Sequence, residues 1–151
     1  MEQAIDFTLP DQDGNPFTLS SLKGQKVVLY FYPRDNTSGC TKEACSLRDS
    51  FADLRDLNAT VVGISPDSVE SHRKFADKYS LPFTLLSDKD KSVMQAYGAY
   101  GEKKLYGKVS MGVIRTTFLL DEEGKVAKVW KKVNTATHGE DVRKELEKLS
   151  S

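Results

Sequence analysis

Residues 27–54 change character twice, and that change limits what the chain can fold into. Val27 to Tyr32 is an unbroken apolar, β-rich run. Such a run reads as a strand buried on both faces of a parallel sheet. Pro33 ends it, because proline cannot donate to a sheet ladder. Asp35 to Gly39 then forms a polar loop with the composition of a helix entry. Beyond it, Ala44, Leu47, Phe51 and Leu54 fall at helical spacing. Cys40 therefore sits where a buried strand passes through a short loop into a helix. Unpaired backbone N–H groups and the positive end of the helix dipole gather at such a point. They favour the thiolate, which is the nucleophilic form of cysteine. The alternative is a buried structural thiol. The helix start, the polar loop and a second cysteine at Cys45 favour the reactive reading.

The 151 residues suit one domain, residues 1–151, with one sizeable core. Lys+Arg and Asp+Glu are both 22, so neither a basic patch for nucleic acid nor an acidic tail is expected. No apolar run approaches the roughly 20 residues of a membrane span. The N-terminus lacks the basic and apolar regions of a signal peptide, so the expected address is the cytoplasm. Two cysteines are too few for a secreted disulfide scaffold, and a close pair in a reducing compartment reads as redox or metal chemistry.

Phe7–Leu9 and Pro16–Leu19 are expected as short strands around a turn at Gly14. Val61–Ser65 is a second buried strand. Asp67 and Glu70 read as a capping box, opening a helix with Val69, His72, Phe75, Ala76 and Tyr79 on its apolar face. Phe83–Leu86 reads as a strand and Ser92–Tyr97 as a short helix. Residues 99–112, rich in lysine and glycine, read as a surface loop. Val113–Leu120 and Lys125–Trp130 read as strands joined by a turn at Asp121–Gly124. Thr137 and Glu140 read as a second capping box, opening a terminal helix with Val142, Leu146 and Leu149 inward. This alternation gives an α/β fold with parallel strands and one antiparallel hairpin.

Three further residues stand out near the cysteine segment. Arg115 interrupts an apolar strand, which is costly unless the charge is paired or working. Its fork suits either a structural ion pair or a neighbouring thiolate. Thr37 lies one helical turn before Cys40, as a helix cap or as a hydroxyl partner of the thiolate. Pro33 is a strand terminator or a shield over the thiolate. Glu43 and Arg48 are expected to be solvated charges, and His72 and His138 have no expected role.

Pro33-x3-Thr37-x2-Cys40 resembles the active-site motif of peroxiredoxins, and Cys40-x4-Cys45 is similar to the bacterioferritin comigratory protein (PrxQ) branch. The segments beginning at Asp6, Asp67, Leu85 and Arg115 agree with it, so the resemblance covers nearly the whole chain. One departure is Ser38, where the family usually has proline. The resemblance implies a thioredoxin-like fold with a mixed central sheet flanked by helices. It implies a peroxidase acting on hydrogen peroxide and organic hydroperoxides, with Cys40 as nucleophile. Cys45 would form a disulfide with the Cys40 sulfenic acid, to be recycled by thioredoxin or a similar dithiol. Arg115 becomes the active-site arginine. No cofactor, metal, nucleic acid or membrane is implied, and the branch is often monomeric.

Two other readings compete. A thioredoxin-like disulfide oxidoreductase would use C-x-x-C, and this chain has C-x4-C. No proline precedes Thr116, where thioredoxins place one near the cysteines. A zinc module built from both cysteines, His72 and His138 lacks the usual histidine spacing.

Overall fold

The computed structural model describes residues 3–105 and 107–150. Two short strands, β1 (Thr8–Pro10) and β2 (Pro16–Thr18), pair antiparallel. After a 3-10 turn at Leu19–Leu22 comes β3 (Lys26–Phe31), followed by α1 (Ser38–Asp56), β4 (Ala59–Ser65), α2 (Val69–Tyr79), β5 (Thr84–Ser87) and α3 (Ser92–Ala96). The chain continues through β6 (Tyr100–Leu105), β7 (Lys108–Val113), β8 (Thr116–Leu120), β9 (Val126–Trp130) and α4 (His138–Ser150).

The main sheet has the order β5-β4-β3-β8-β9. Strands β3, β4 and β5 run parallel, whereas β8 lies antiparallel to both β3 and β9. This is the expected mixed sheet. β3 is buried at every position, and its side chains alternate between two cores. Val28, Tyr30 and Tyr32 face the core formed with α1, α2 and α4. Val27, Leu29 and Phe31 face the core shared with α3 and the N-terminal strands. Two covered faces explain the unbroken apolar run.

Several expectations need correction. Tyr100–Leu105 and Lys108–Val113 pair antiparallel as β6 and β7 rather than lying in a loop; residue 106 of the expected loop lies outside the described residues. The expected strand from Val113 to Leu120 is broken at Ile114–Arg115, so Arg115 stands between β7 and β8 instead of inside a strand. Helix α2 is capped by Ser68, whose Oγ accepts from Ser71 N, and not by Asp67. The Asp67 carboxylate is taken up by Asp35 N and Ser65 Oγ. In α4, the Thr137 hydroxyl donates to Asp141 and Glu140 pairs with Arg143, so the reciprocal box with Glu140 does not form. Val142 and Leu146 are fully buried, but Leu149, in the last turn, is exposed.

Candidate active site

Helix α1 begins at Ser38, so Cys40 lies in its first turn and Cys45 further along the same helix. Cys40 is buried with Ala44, Leu47 and Leu54 in the core beneath β3, while Cys45 is half-buried. Both thiols are free.

Arg115 reaches Cys40 from the break between β7 and β8. Its Nη2 donates to Cys40 Sγ at 3.2 Å, and its Nη1 donates to Glu43 Oε1 at 2.5 Å. One fork thus holds the sulfur and a carboxylate, as its planar geometry permits. Gly39 leaves room for it, since a β-carbon there would sit 3.3 Å from Nη2. Burial opposes the charge on Arg115, but Glu43 and Cys40 beside it hold its pKa above the ordinary arginine value.

Glu43 is fully buried, contrary to the expectation of a solvated charge. It lies three residues after Cys40 and four before Leu47, on the inward stripe of α1. Among the described residues its Oε2 has no hydrogen-bond partner, and it lies 3.9 Å from His138 Nε2. His138, at the start of α4, is also fully buried, with Nε2 and Thr117 Oγ1 at 2.9 Å. Arg48 is likewise more than a solvated charge. Its Nη1 donates to Tyr79 O at the end of α2, at 2.9 Å.

Burial pushes Glu43 up to about 7, with Arg115 pulling the other way. Burial pulls His138 down to about 4, with Asp141 opposing. The signs of these two shifts are opposite. The folded protein keeps the Glu43 proton up to about 7, while the unfolded chain releases it near 4.5, so this contribution to stability is lost as pH rises through that window. The unfolded chain protonates His138 near 6.5, while the folded protein does so only near 4, so stability is lost as pH falls through that window. The slopes offset one another where the windows overlap. Glu43→Gln is expected to unmask the histidine. Denaturant titrations should show its stability falling from pH about 6.5 to about 4 more steeply than the parent's. Equal slopes in the two proteins would refute this pairing of opposed titrations.

The loop before α1 is held by a buried network. Asp35 accepts from Tyr32 Oη at 2.6 Å and Ser71 Oγ at 2.8 Å, and faces His72 Nδ1 at 2.7 Å. Its backbone N donates to Asp67 Oδ2 at 2.8 Å. His72 Nε2 faces Leu86 O at 2.9 Å; a carbonyl only accepts, so this nitrogen carries a proton. Asp35, Asp67 and His72 place potential metal-ligand atoms within 4.8 Å of one another. These atoms are already engaged in hydrogen bonds that clamp the loop. The two cysteines and two histidines do not converge as a zinc site would require: His72 belongs to this clamp and His138 to the Glu43 side.

Thr37 occupies the N-cap position, but its hydroxyl donates to Arg34 O at 3.2 Å and makes no cap bond. Pro33 is half-buried just beyond β3. The structure therefore joins Cys40 to Arg115 directly and leaves Thr37 and Pro33 in the adjoining loop. Sequence reasoning missed Glu43, the Asp35–His72 clamp and the burial of His138. Only Glu43 left a usable signal, through its place on the buried stripe.

Residues 1–129 match the model of the AhpC/TSA family. The chain is 51% identical over 141 residues to a putative peroxiredoxin bcp of Coxiella burnetii, covering 93% of each. It is 43% identical over 149 residues to peroxiredoxin Bcp of Bacillus subtilis, covering 99% of this chain and 95% of that one. It also aligns with the Xanthomonas campestris bacterioferritin comigratory protein, for which alkyl peroxide reduction activity is described. That match has a TM-score of 0.90 and 36% identity, over 96% of this chain and 92% of the other. A thioredoxin-like α/β fold and similarity across nearly the whole length show that the chain belongs to the AhpC/TSA family, as a thiol peroxidase of the Bcp/PrxQ peroxiredoxins.

Proposed function

We propose that Cys40 is the nucleophile of this peroxidase and Cys45 the thiol that resolves it. The observation that carries this is the Arg115 fork, which donates to the Cys40 sulfur while Glu43 holds it from the other side. The Cys40 thiolate attacks one oxygen of the peroxide and the O–O bond breaks. The sulfur becomes a sulfenic acid, and the departing oxygen takes a proton to leave as water or an alcohol. Arg115 stabilises the charge that develops on that oxygen. Thr37, whose proton goes to Arg34 O, offers its lone pairs to the incoming O–H, and Pro33 keeps bulk water from the sulfur. The Cys45 thiol then condenses with the sulfenic acid, releasing water and forming the Cys40–Cys45 disulfide. Thioredoxin, or a similar dithiol, reduces it by exchange.

The substrates are hydrogen peroxide and organic hydroperoxides; the alkyl peroxide activity of the Xanthomonas relative supports the second class. We place the enzyme in the cytoplasm as a monomer. No helix among the described residues is long and apolar enough to cross a membrane.

Helix geometry makes resolution a conformational step. Residues five apart on an α-helix are separated by about 7.5 Å of rise and about 140° around the axis, with Cα atoms about 8.7 Å apart. A disulfide needs Cα atoms within about 7 Å. The first turns of α1 must therefore unwind, at a helix end where opening is least costly.

A coupled assay with several peroxides and thioredoxin tests the function. Peroxide-dependent consumption of reducing equivalents is expected, whereas insulin reduction without peroxide would favour a disulfide oxidoreductase. Cys45→Ser is expected to react once with peroxide and stall as the sulfenic acid. A sulfenate-reactive probe should trap it quantitatively after one equivalent, and an absence of adduct would count against Cys45 as resolver.

A further inference from the structure

We propose that the first turn of α4 latches the resolving step, with Ser46 and Gly139 as its positioning residues. This rests on the reading of Cys45 as the resolving thiol. Ser46 directly follows Cys45, and its Oγ accepts a hydrogen bond from Gly139 N at 2.8 Å. Gly139 is the second residue of α4, where backbone N–H groups have no partner in their own helix. A side chain of one helix thus caps the other. Gly139 is buried, and a β-carbon there would lie 2.2 Å from Ser46 O and 2.7 Å from Ser50 Oγ. Only glycine permits so close an approach.

The neighbouring residue extends the latch. His138 is bonded to Thr117 on β8, lies 3.9 Å from Glu43 Oε2, and stands edge-on to Trp130 at 5.6 Å. Glu43 lies between Cys40 and Cys45, inside the segment that must unwind, and Ser46 lies at its end. Unwinding through Cys45 draws both away from α4 and strips the Gly139 N–H of its acceptor. Opening of α1 and release of the α4 first turn are then one event.

The latch matters because a sulfenic acid has two fates. It condenses with a thiol, or a second peroxide oxidises it to the sulfinic acid. A tight latch prolongs the sulfenic state and favours over-oxidation; a loose one favours the disulfide.

Ser46→Ala removes the capping oxygen and leaves the backbone intact. Rapid mixing with peroxide, thiol quenching and mass analysis separate the two steps. Losing a cap of this kind is expected to speed disulfide formation about fivefold. The second-order reaction of Cys40 with peroxide should be unchanged, and the sulfinic fraction at high peroxide should fall. In the oxidised parent, with the disulfide verified by mass, amide exchange should show protection lost in residues 138–142 together with 38–46. Unchanged resolution and sulfinic yield in Ser46→Ala would overturn the latch. So would retained protection of 138–142 in the oxidised parent. A parent that forms no intramolecular disulfide would overturn the Cys45 assignment, and the latch with it.

Discussion

Cys40→Ser is expected to lower peroxide turnover by at least about a thousandfold, because a serine hydroxyl is un-ionised near neutral pH and far less nucleophilic than a thiolate. The substitution is nearly isosteric, and the new oxygen can still accept from Arg115 Nη2, which lies 3.2 Å from the sulfur it replaces. The Arg115–Glu43 pair should persist and the protein should remain folded, with a thermal midpoint within a few degrees of the parent. The loss is therefore one of chemistry and not of structure. Stopped-flow peroxide consumption with thioredoxin in excess measures it, and a denaturation curve supplies the control. Substantial turnover in a folded Cys40→Ser protein would remove Cys40 from the nucleophile role. It would also leave the half-buried Arg115–sulfur contact without a catalytic purpose.

Features set by local pattern were legible in the chain, and those set by distant contacts were not. β3 could be read because both its faces are covered, which leaves no polar position from Lys26's neighbour Val27 to Phe31. Cys40 could be read because the strand, loop and helix entry are contiguous. The hairpin of β6 and β7 could not. Residues 108–111 are all exposed, so burial imposes no two-residue alternation there. Asp67 read as the cap of α2, but the backbone N–H of Asp35 claims its carboxylate from the cysteine loop, and Ser68 caps the helix instead. Glu43 was misjudged because its charge outweighed its position. Three residues after Cys40 on an inward stripe, a carboxylate must be buried, and a buried carboxylate requires a partner. That partner was the one arginine already known to need one.

Arg115→Ala is expected to slow the reaction of Cys40 with peroxide by about a hundredfold to a thousandfold, the range seen when one preorganised donor to a developing oxyanion is lost. Two losses are combined in this variant. The sulfur loses its donor, and the Glu43 carboxylate is left buried without its ion-pair partner. Because Arg115 lowers the Glu43 pKa in the parent, its removal drives Glu43 further toward the protonated form. A second substitution separates the two losses. In Arg115→Ala with Glu43→Gln, no buried charge remains to be compensated, so stability should recover relative to Arg115→Ala alone. The single-turnover rate should not recover, since no donor reaches the peroxide. Arg115→Lys should fall between, because an ammonium keeps the charge but cannot serve the sulfur and the carboxylate with one rigid fork. If the double substitution restored the rate along with stability, Arg115 would be a structural counter-ion to Glu43 and nothing more.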